Sequence, residues 1–230
     1  MRKILLIISL VAAIAMGANA QTRNVRFGIK LGPTIDWVSS GSNAANNDGI
    51  GLGGNLGLVY DHYLSANIAI SSGVNLNLLR MKYSFTDFRK VDDFLEEAYV
   101  LVNRRLKATN VEIPIKLKVK VNVVDSFNAY VEAGGGLSFN CKDFGKDDYS
   151  FNWVSFEDQN YVDYTNQYRP LQLAMIFGLG AEYEINRNLS AFAQLSFDHA
   201  FSNAFNSSLM KQTNSILRNN YIGVEAGIMF

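Results

Sequence analysis

The chain alternates apolar and polar residues with a period of two in eight separate segments. In the clearest of them, residues 111–121, apolar side chains stand at every odd position, and Glu112, Pro114 and three lysines stand at the even ones. Successive side chains of a β-strand point to opposite faces, so this period predicts strands with one apolar and one polar face. The other segments are 25–32, 51–60, 65–85, 127–141, 171–184, 189–202 and 219–230.

The connections between these segments alternate between short and long. The short ones are 61–64, 122–126 and 185–188, and the long ones are 39–50, 86–108, 142–168 and 203–218. A water-soluble antiparallel sandwich would also show the period of two, but the alternating connections favour an up-and-down barrel. We therefore predict an all-β fold, an eight-stranded antiparallel up-and-down transmembrane β-barrel with long extracellular loops. Its short turns and both termini are predicted to lie in the periplasm.

The two faces of the predicted strands fit a membrane wall around a narrow lumen. A transmembrane strand needs about 9 to 11 tilted residues, and most of the segments supply that number. The apolar positions are predicted to face lipid and the charged positions to face the lumen, where Lys116 or Lys118 can pair with Glu132. The predicted lumen-facing charged residues are Lys30, Glu112, Lys116, Lys118, Glu132, Glu182, Asp198 and Glu225. Aromatic residues near strand ends are predicted to form interfacial girdles, namely Trp37, Tyr60, Tyr63, Tyr83, Phe139, Tyr183, Phe201 and Tyr221.

The first residues have the pattern of an export signal. Arg2 and Lys3 precede an apolar run over 4–15, and Ala18-Asn19-Ala20 forms an A-x-A cleavage sequence. That run is too short for a membrane-spanning helix. It predicts a secretory signal peptide at residues 1–20, followed by an outer-membrane β-barrel domain at residues 21–230.

Charge and reactive side chains argue against several classes of function. The chain carries 21 basic and 21 acidic residues, a balance that predicts no nucleic-acid partner. The single cysteine, Cys141, is expected to be a small buried hydrophobe. The two histidines, His62 in a predicted turn and His199 on a strand, form no metal-ligand or triad pattern. We therefore predict no catalytic site, no enzyme activity, no metal ion and no cofactor.

The two longest connections are the places where partner binding is expected, because exposed loops on a rigid scaffold often carry it. Apolar residues recur at roughly helical spacing within 86–108, which predicts a short amphipathic helix over the outer rim. The connection 142–168 is rich in aromatic residues. It is interpreted either as outer strands packed on one another or as a contact surface for a protein or glycan.

Four sequence features together resemble the PorT-type outer-membrane β-barrel family of Bacteroidetes. They are the export signal ending Ala-Asn-Ala-Gln, the strand Val111-Glu112-Ile113-Pro114-Ile115-Lys116-Leu117-Lys118, the segment Ile185-Asn186-Arg187-Asn188-Leu189-Ser190, and the alternating tail that ends on Phe230. The resemblance implies a small porin-like, OmpA-like barrel, with Pro114 at a bulge or bend. It also implies that Tyr221 and Phe230 belong to the signal read by the barrel assembly machinery during insertion, with outer-membrane lipid around the barrel.

Three functional hypotheses follow. The first is a structural or interaction barrel at the cell surface, since side chains fill the interior of an eight-stranded barrel. The second is a narrow porin-like passive channel. The third, a component of protein secretion or surface assembly, is implied by the family resemblance, because some members are linked to secretion of surface proteins.

Overall fold

The computed structural model describes residues 24–41, 45–90, 97–151, 154–157, 161–204 and 216–230. The predicted signal peptide, residues 1–20, lies outside the described residues. Eight long strands form the fold: β1 (Val25–Ser40), β2 (Gly51–Tyr63), β3 (Ile68–Lys90), β4 (Glu97–Val124), β5 (Phe127–Phe151), β6 (Leu171–Asn186), β7 (Leu189–Ala200) and β8 (Leu217–Met229). The connections also contain the short strands Ala45–Asn47, Val154–Glu157 and Val162–Asp163 and a 3-10 turn at Thr165–Gln167.

The eight strands form a closed ring. Each strand pairs antiparallel with its neighbour in sequence, and β8 pairs with β1 from Gly28 opposite Met229 to Ser40 opposite Leu217. At the end of this seam, the Phe27 N–H donates to the Phe230 carbonyl at 3.1 Å and the Phe230 N–H donates back at 2.7 Å. Closure leaves no unpaired sheet edge in the barrel wall, and it confirms the predicted fold class.

The connections alternate between short and long as predicted, although their boundaries are shifted. The short turns are 64–67, 125–126 and 187–188, and all three lie at one end, here called the short-turn end. Asp61 and His62, predicted in a turn, instead belong to β2 and pair with β1 and β3. The opposite, long-loop end carries 41–50, 91–96, 152–170 and 201–216.

The predicted amphipathic helix over 86–108 is wrong wherever the structure describes that segment. β3 and β4 pair continuously up to Lys90 opposite Glu97. The even-numbered side chains from Val100 to Ala108 are buried, while Leu101 is exposed. The period of two therefore continues there. The apolar spacing imitated a helix because residues four apart, such as Val102 and Leu106, share one face of a helix and also one face of a strand.

Apolar side chains form a belt around the outside of the barrel. On β4, Ile113, Ile115 and Leu117 are exposed, whereas the residues between them are buried. The column from Val111 to Val121 spans roughly 25 Å at about 3.3 Å per residue and a tilt near 40°, which is the height of the apolar band of outer-membrane barrels. Among the described residues, no helix is long and apolar enough to cross a membrane.

Two of the predicted girdle aromatics are fully buried. Phe139, Tyr183 and Phe201 are exposed as expected, but the rings of Tyr83 and Tyr221 are buried inside the barrel. Both tyrosines stand at positions where the strand alternation points to the interior. Proximity to a strand end was therefore not enough to place them on the surface.

Pro114 sits in a β-ladder with no bulge. Its pairing with Gly136 on β5 continues the register without a shift. The ladder to β3 is interrupted between Ser72 and Asn75 and resumes in the same register, because proline has no N–H to donate. Gly73, with φ +154, lies in the gap, and a Cβ there would come within 2.0 Å of the Leu58 carbonyl oxygen. The expected bulge is thus replaced by a local gap that glycine accommodates.

Candidate functional site in the barrel interior

The structure places all the charged residues predicted to face the lumen in buried positions. Lys30, Glu112, Lys116, Lys118, Glu132, Glu182, Asp198 and Glu225 each expose between 0% and 7% of their surface. They alternate along the strands with exposed apolar residues, so the pleat directs them into the barrel. The candidate site is therefore the interior itself, where the arrangement of these charges decides whether an ion or solute can pass.

Near the short-turn end, ion pairs join neighbouring strands. The Lys30 ammonium on β1 donates to the Glu225 carboxylate on β8 at 2.8 Å. Gln194 donates to the same carboxylate at 2.6 Å, and Tyr130 donates to Gln194 at 2.8 Å. Lys116 contacts Glu132 across β4 and β5, which is the pairing expected from the sequence.

Other ion pairs cross the interior between strands that are not neighbours. The Lys118 ammonium on β4 donates to the Asp61 carboxylate on β2 at 2.8 Å, and Arg26 on β1 contacts Glu182 on β6. Neither pair of strands is adjacent in the ring, so these side chains span the interior. Sequence analysis missed Asp61 because it was assigned to a turn. Charged side chains at this level fill the lumen and neutralise one another.

Glu112 and Asp198 are not neutralised in this way. Among the described residues, no lysine or arginine lies within ion-pair distance of either carboxylate. Asn75 donates to Glu112 at 2.8 Å, while one oxygen of Asp198 has no hydrogen-bond partner. Both residues line a cavity of about 10 Å³, the space of a single water molecule. This buried acidic pair therefore has no compensating cation among the described residues.

Toward the long-loop end the interior changes from polar to apolar. A cluster of buried side chains fills the barrel there, and we call it the long-loop core. Its members are Val38, Ala45, Leu79, Met81, Tyr83, Phe85, Val100, Val102, Leu106, Ala108, Tyr168, Ala204, Leu217 and Tyr221. These residues come from β1, β3, β4 and β8 and from the connections, so the core packs the connections against the barrel strands.

A buried arginine lies against the long-loop core. The Arg104 guanidinium donates twice to Asp147, at 2.7 and 2.8 Å, and once to Gln167 at 2.9 Å. It stacks over the Tyr164 ring at 3.8 Å, and the Tyr164 hydroxyl donates to Asp147 at 3.0 Å. Planar bidentate pairing and ring stacking suit arginine and not lysine. The network links the connection 161–168 to β4 and β5 and so fixes this connection to the barrel.

Reactive side chains do not assemble into a further site. Within the described part of the chain, no group of three or more His, Cys, Asp and Glu side chains could hold a metal ion. Cys141 is exposed, and the prediction that it is buried was wrong. It is the extra residue where the β4–β5 register shifts between Thr109 and Asn110, and the register gives it no partner.

The buried carboxyl of Asp143 lies above the apolar belt. Its protonation can therefore be tested by changing the pH. Burial raises the pKa of the Asp143 carboxyl to about 6, and the charge of Asp163 acts in the same direction. The contact with Asn140 partly opposes this rise in pKa. Asp143 therefore keeps its proton to a higher pH in the folded protein than an ordinary aspartate does.

A closed antiparallel barrel with an apolar outer belt and a charged interior defines an integral membrane protein of the outer-membrane type. The chain belongs to the family of the outer membrane protein β-barrel domain, whose model matches residues 19–206. It is an outer-membrane β-barrel protein. No curated protein matches the chain.

Several solved outer-membrane proteins are similar at low identity. OprG from Pseudomonas aeruginosa is 11% identical with a TM-score of 0.45, covering 90% of this chain and 96% of that one. A major outer membrane protein from Thermus thermophilus is 12% identical with a TM-score of 0.44, covering 90% and 98%. Neisserial surface protein A is 9% identical with a TM-score of 0.39, covering 88% and 95%.

Asp198→Asn should stabilise the barrel. The substitution keeps the size of the side chain and removes one of two neighbouring buried carboxylates that have no cation, so the free energy of unfolding at pH 7.5 should rise by roughly 1 kcal/mol. Urea unfolding in detergent, followed by the heat-modifiable shift on gels, measures it. Asp125→Asn in an exposed turn is the control and should change nothing. A loss of stability in Asp198→Asn would contradict the assignment of an uncompensated pair.

Glu225→Gln should have the opposite effect. It leaves Lys30 buried without its carboxylate, and breaking a buried pair in this way costs roughly 3 to 5 kcal/mol. The matched control is Glu184→Gln, because Glu184 lies 3.7 Å from Lys120 with its side chain 46% exposed. The same unfolding assay should show almost no change for that control. Equal effects of the two variants would argue against the buried Lys30 pair.

Asp143→Asn should remove a pH dependence. The folded-state pKa lies above the unfolded one, so the contribution of Asp143 is present below about pH 4 and is lost as pH rises through 6. The wild-type free energy of unfolding should therefore fall over this interval relative to the variant, by up to about 2 kcal/mol. Unfolding curves of both proteins from pH 4 to pH 8 test this. A constant difference across the range would refute it.

Proposed function

We propose that this protein is a closed, non-conducting barrel that holds a rigid β-sheet beyond the membrane for contact with a protein or glycan partner. The observation that carries the proposal is the length of β3, β4 and β5. These strands continue far past the apolar belt as a hydrogen-bonded sheet, through segments that were predicted to be long connections.

The extension is long enough to act as a platform. Residues 79–90 of β3 pair without a break with residues 97–108 of β4, which adds roughly 30 Å at about 3.3 Å per residue and a 40° tilt. β5 follows β4 up to Ser150, opposite Leu101. The long-loop core and the Arg104–Asp147 network fix this sheet to the barrel. A rigid scaffold of this kind presents a binding surface at low entropic cost.

The filled interior supports this function over passive conduction. The ion pairs Lys118–Asp61 and Arg26–Glu182 cross the lumen, and the long-loop core lies above them. A passive channel would need both levels to open.

The proposed orientation places both termini in the periplasm and the projecting sheet at the cell surface. Short turns beside both termini and long connections at the other end are typical of bacterial outer-membrane barrels. The resemblance to PorT-type barrels makes secretion or surface assembly the first process in which to look for the partner.

Shortening the sheet tests the proposal. Replacing residues 86–101 by a two-residue turn removes the tip of the β3–β4 hairpin and leaves the belt, the ion pairs and Arg104 in place. The shortened barrel should insert, show the heat-modifiable shift, and conduct no more than a protein-free planar bilayer, as the wild type should. In the host it should fail to complement a deletion strain, with the secreted proteome and surface glycans as readouts.

The outcomes are distinct. Full complementation by the shortened barrel would show that the projecting sheet is not the working part. Wild-type conductance above background would favour the channel instead. Labelling of an introduced exposed cysteine by a membrane-impermeant reagent on intact cells tests the orientation separately, in a Cys141→Ser background.

A further inference from the structure

Basic side chains gather on the outer wall of the barrel just above the apolar belt. They lie on β3, β4 and β5 near the long-loop end, and we call them the basic rim patch. The patch comprises Arg80, Lys82, Arg105, Lys107, Lys142 and Lys146. Lys82, Arg105 and Lys142 are exposed, and the other three are half-buried.

The register puts these like charges next to one another. Arg80 lies opposite Lys107 and Lys82 lies opposite Arg105 on the β3–β4 ladder, and Arg105 lies opposite Lys146 on the β4–β5 ladder. Like charges directly opposite each other destabilise a sheet. Acidic side chains offset part of this charge. Arg105 donates to Asp148 at 2.6 Å, and hydrogen bonds from Thr165 together with the charge of Lys142 lower the pKa of Asp163. An anionic ligand would relieve the remaining repulsion.

Aromatic rings help to hold two of the lysines in place. The Lys107 ammonium lies 3.7 Å from the centre of the Tyr161 ring, and the Lys142 ammonium lies 4.6 Å from the centre of the Phe144 ring. Cation–π contacts of this kind orient an ammonium without neutralising its charge. The two amines therefore stay available to an anion at the surface.

The depth of the patch identifies the anion. The last lipid-facing row contains Leu78 opposite Thr109, with Lys142 opposite Thr109 on the other side. Arg80 and Lys107 lie one row higher, about 5 Å further from the bilayer centre, and Lys82 and Arg105 about 10 Å further. The polar headgroup layer occupies roughly 5 to 8 Å beyond the hydrocarbon core. The patch thus begins at the level of lipid headgroups.

We propose that the basic rim patch binds the phosphate groups of lipid headgroups in the leaflet beside the long-loop end. Lysine and arginine side chains near a membrane surface attract anionic lipid in this way. In the orientation proposed above, the bound lipids are the phosphorylated glycolipids of the outer leaflet, and this part of the inference rests on that orientation. Binding of phosphorylated lipid does not depend on it.

Native mass spectrometry of the barrel released from nanodiscs tests the proposal. The nanodiscs contain phosphatidylcholine with a minor fraction of either bisphosphorylated or dephosphorylated lipid A. Wild type should retain the phosphorylated form preferentially. K82Q/K107Q/K142Q should retain it about a hundredfold more weakly, since each charge contributes about fivefold. The charge-preserving K82R/K107R/K142R and the single variant Arg187→Gln at the short-turn end should behave like wild type.

Each other outcome overturns the proposal. Equal retention by wild type and the glutamine variant would show that the patch does not hold the lipid. Equal retention of phosphorylated and dephosphorylated lipid by wild type would show that phosphate is not recognised. Displacement by millimolar inorganic phosphate would indicate a site for soluble anions. The heat-modifiable gel shift confirms that every variant is folded. Because both nanodisc leaflets have the same composition, the result is independent of the orientation test.

Discussion

The rest of the structure depends on the pairing of β1 with β8. A strand inside hydrocarbon cannot leave its N–H and carbonyl groups without partners, so the sheet has to close on itself. Once Phe27 and Phe230 exchange backbone hydrogen bonds, every second side chain faces an enclosed interior. Closure thus fixes two environments for the whole chain, one of lipid and one of protein, and each residue is assigned to one of them by its parity along the strand.

Eight strands enclose a space that side chains can fill, and the chain fills it with charge near the short-turn end and with apolar groups near the long-loop end. Most of the charges are matched, as in Lys30–Glu225 and Lys118–Asp61. Glu112 and Asp198 are not matched with a cation among the described residues. The apolar long-loop core needs no such matching, and it continues into the β3–β4–β5 sheet that projects from the barrel.

The alternation of apolar and polar residues at odd and even positions made the wall of the barrel predictable from the sequence. It predicted the eight strands, the alternating connections and the burial of residues such as Lys116 and Glu182. It failed where parity and local composition disagreed. Within 86–108, apolar residues four apart, such as Val102 and Leu106, fit a helix as well as a strand and were predicted to be helical, but cross-strand pairing makes the described part of the segment strand. Tyr83 and Tyr221 were assigned to the surface by residue type, and Asp61 to a turn by its position. Pairings between distant strands, such as Arg26–Glu182, leave no signal in one sequence.

The ion pairs that cross the lumen have a mechanical consequence. A bilayer compresses an embedded barrel laterally, and a thin-walled ring yields to such pressure by flattening into an ellipse. Arg26–Glu182 and Lys118–Asp61 join strands that are not adjacent, so they link separate parts of the ring through its interior. Flattening of the ring would separate some of these buried charges. The barrel is therefore expected to keep one cross-section in membranes of different lateral pressure.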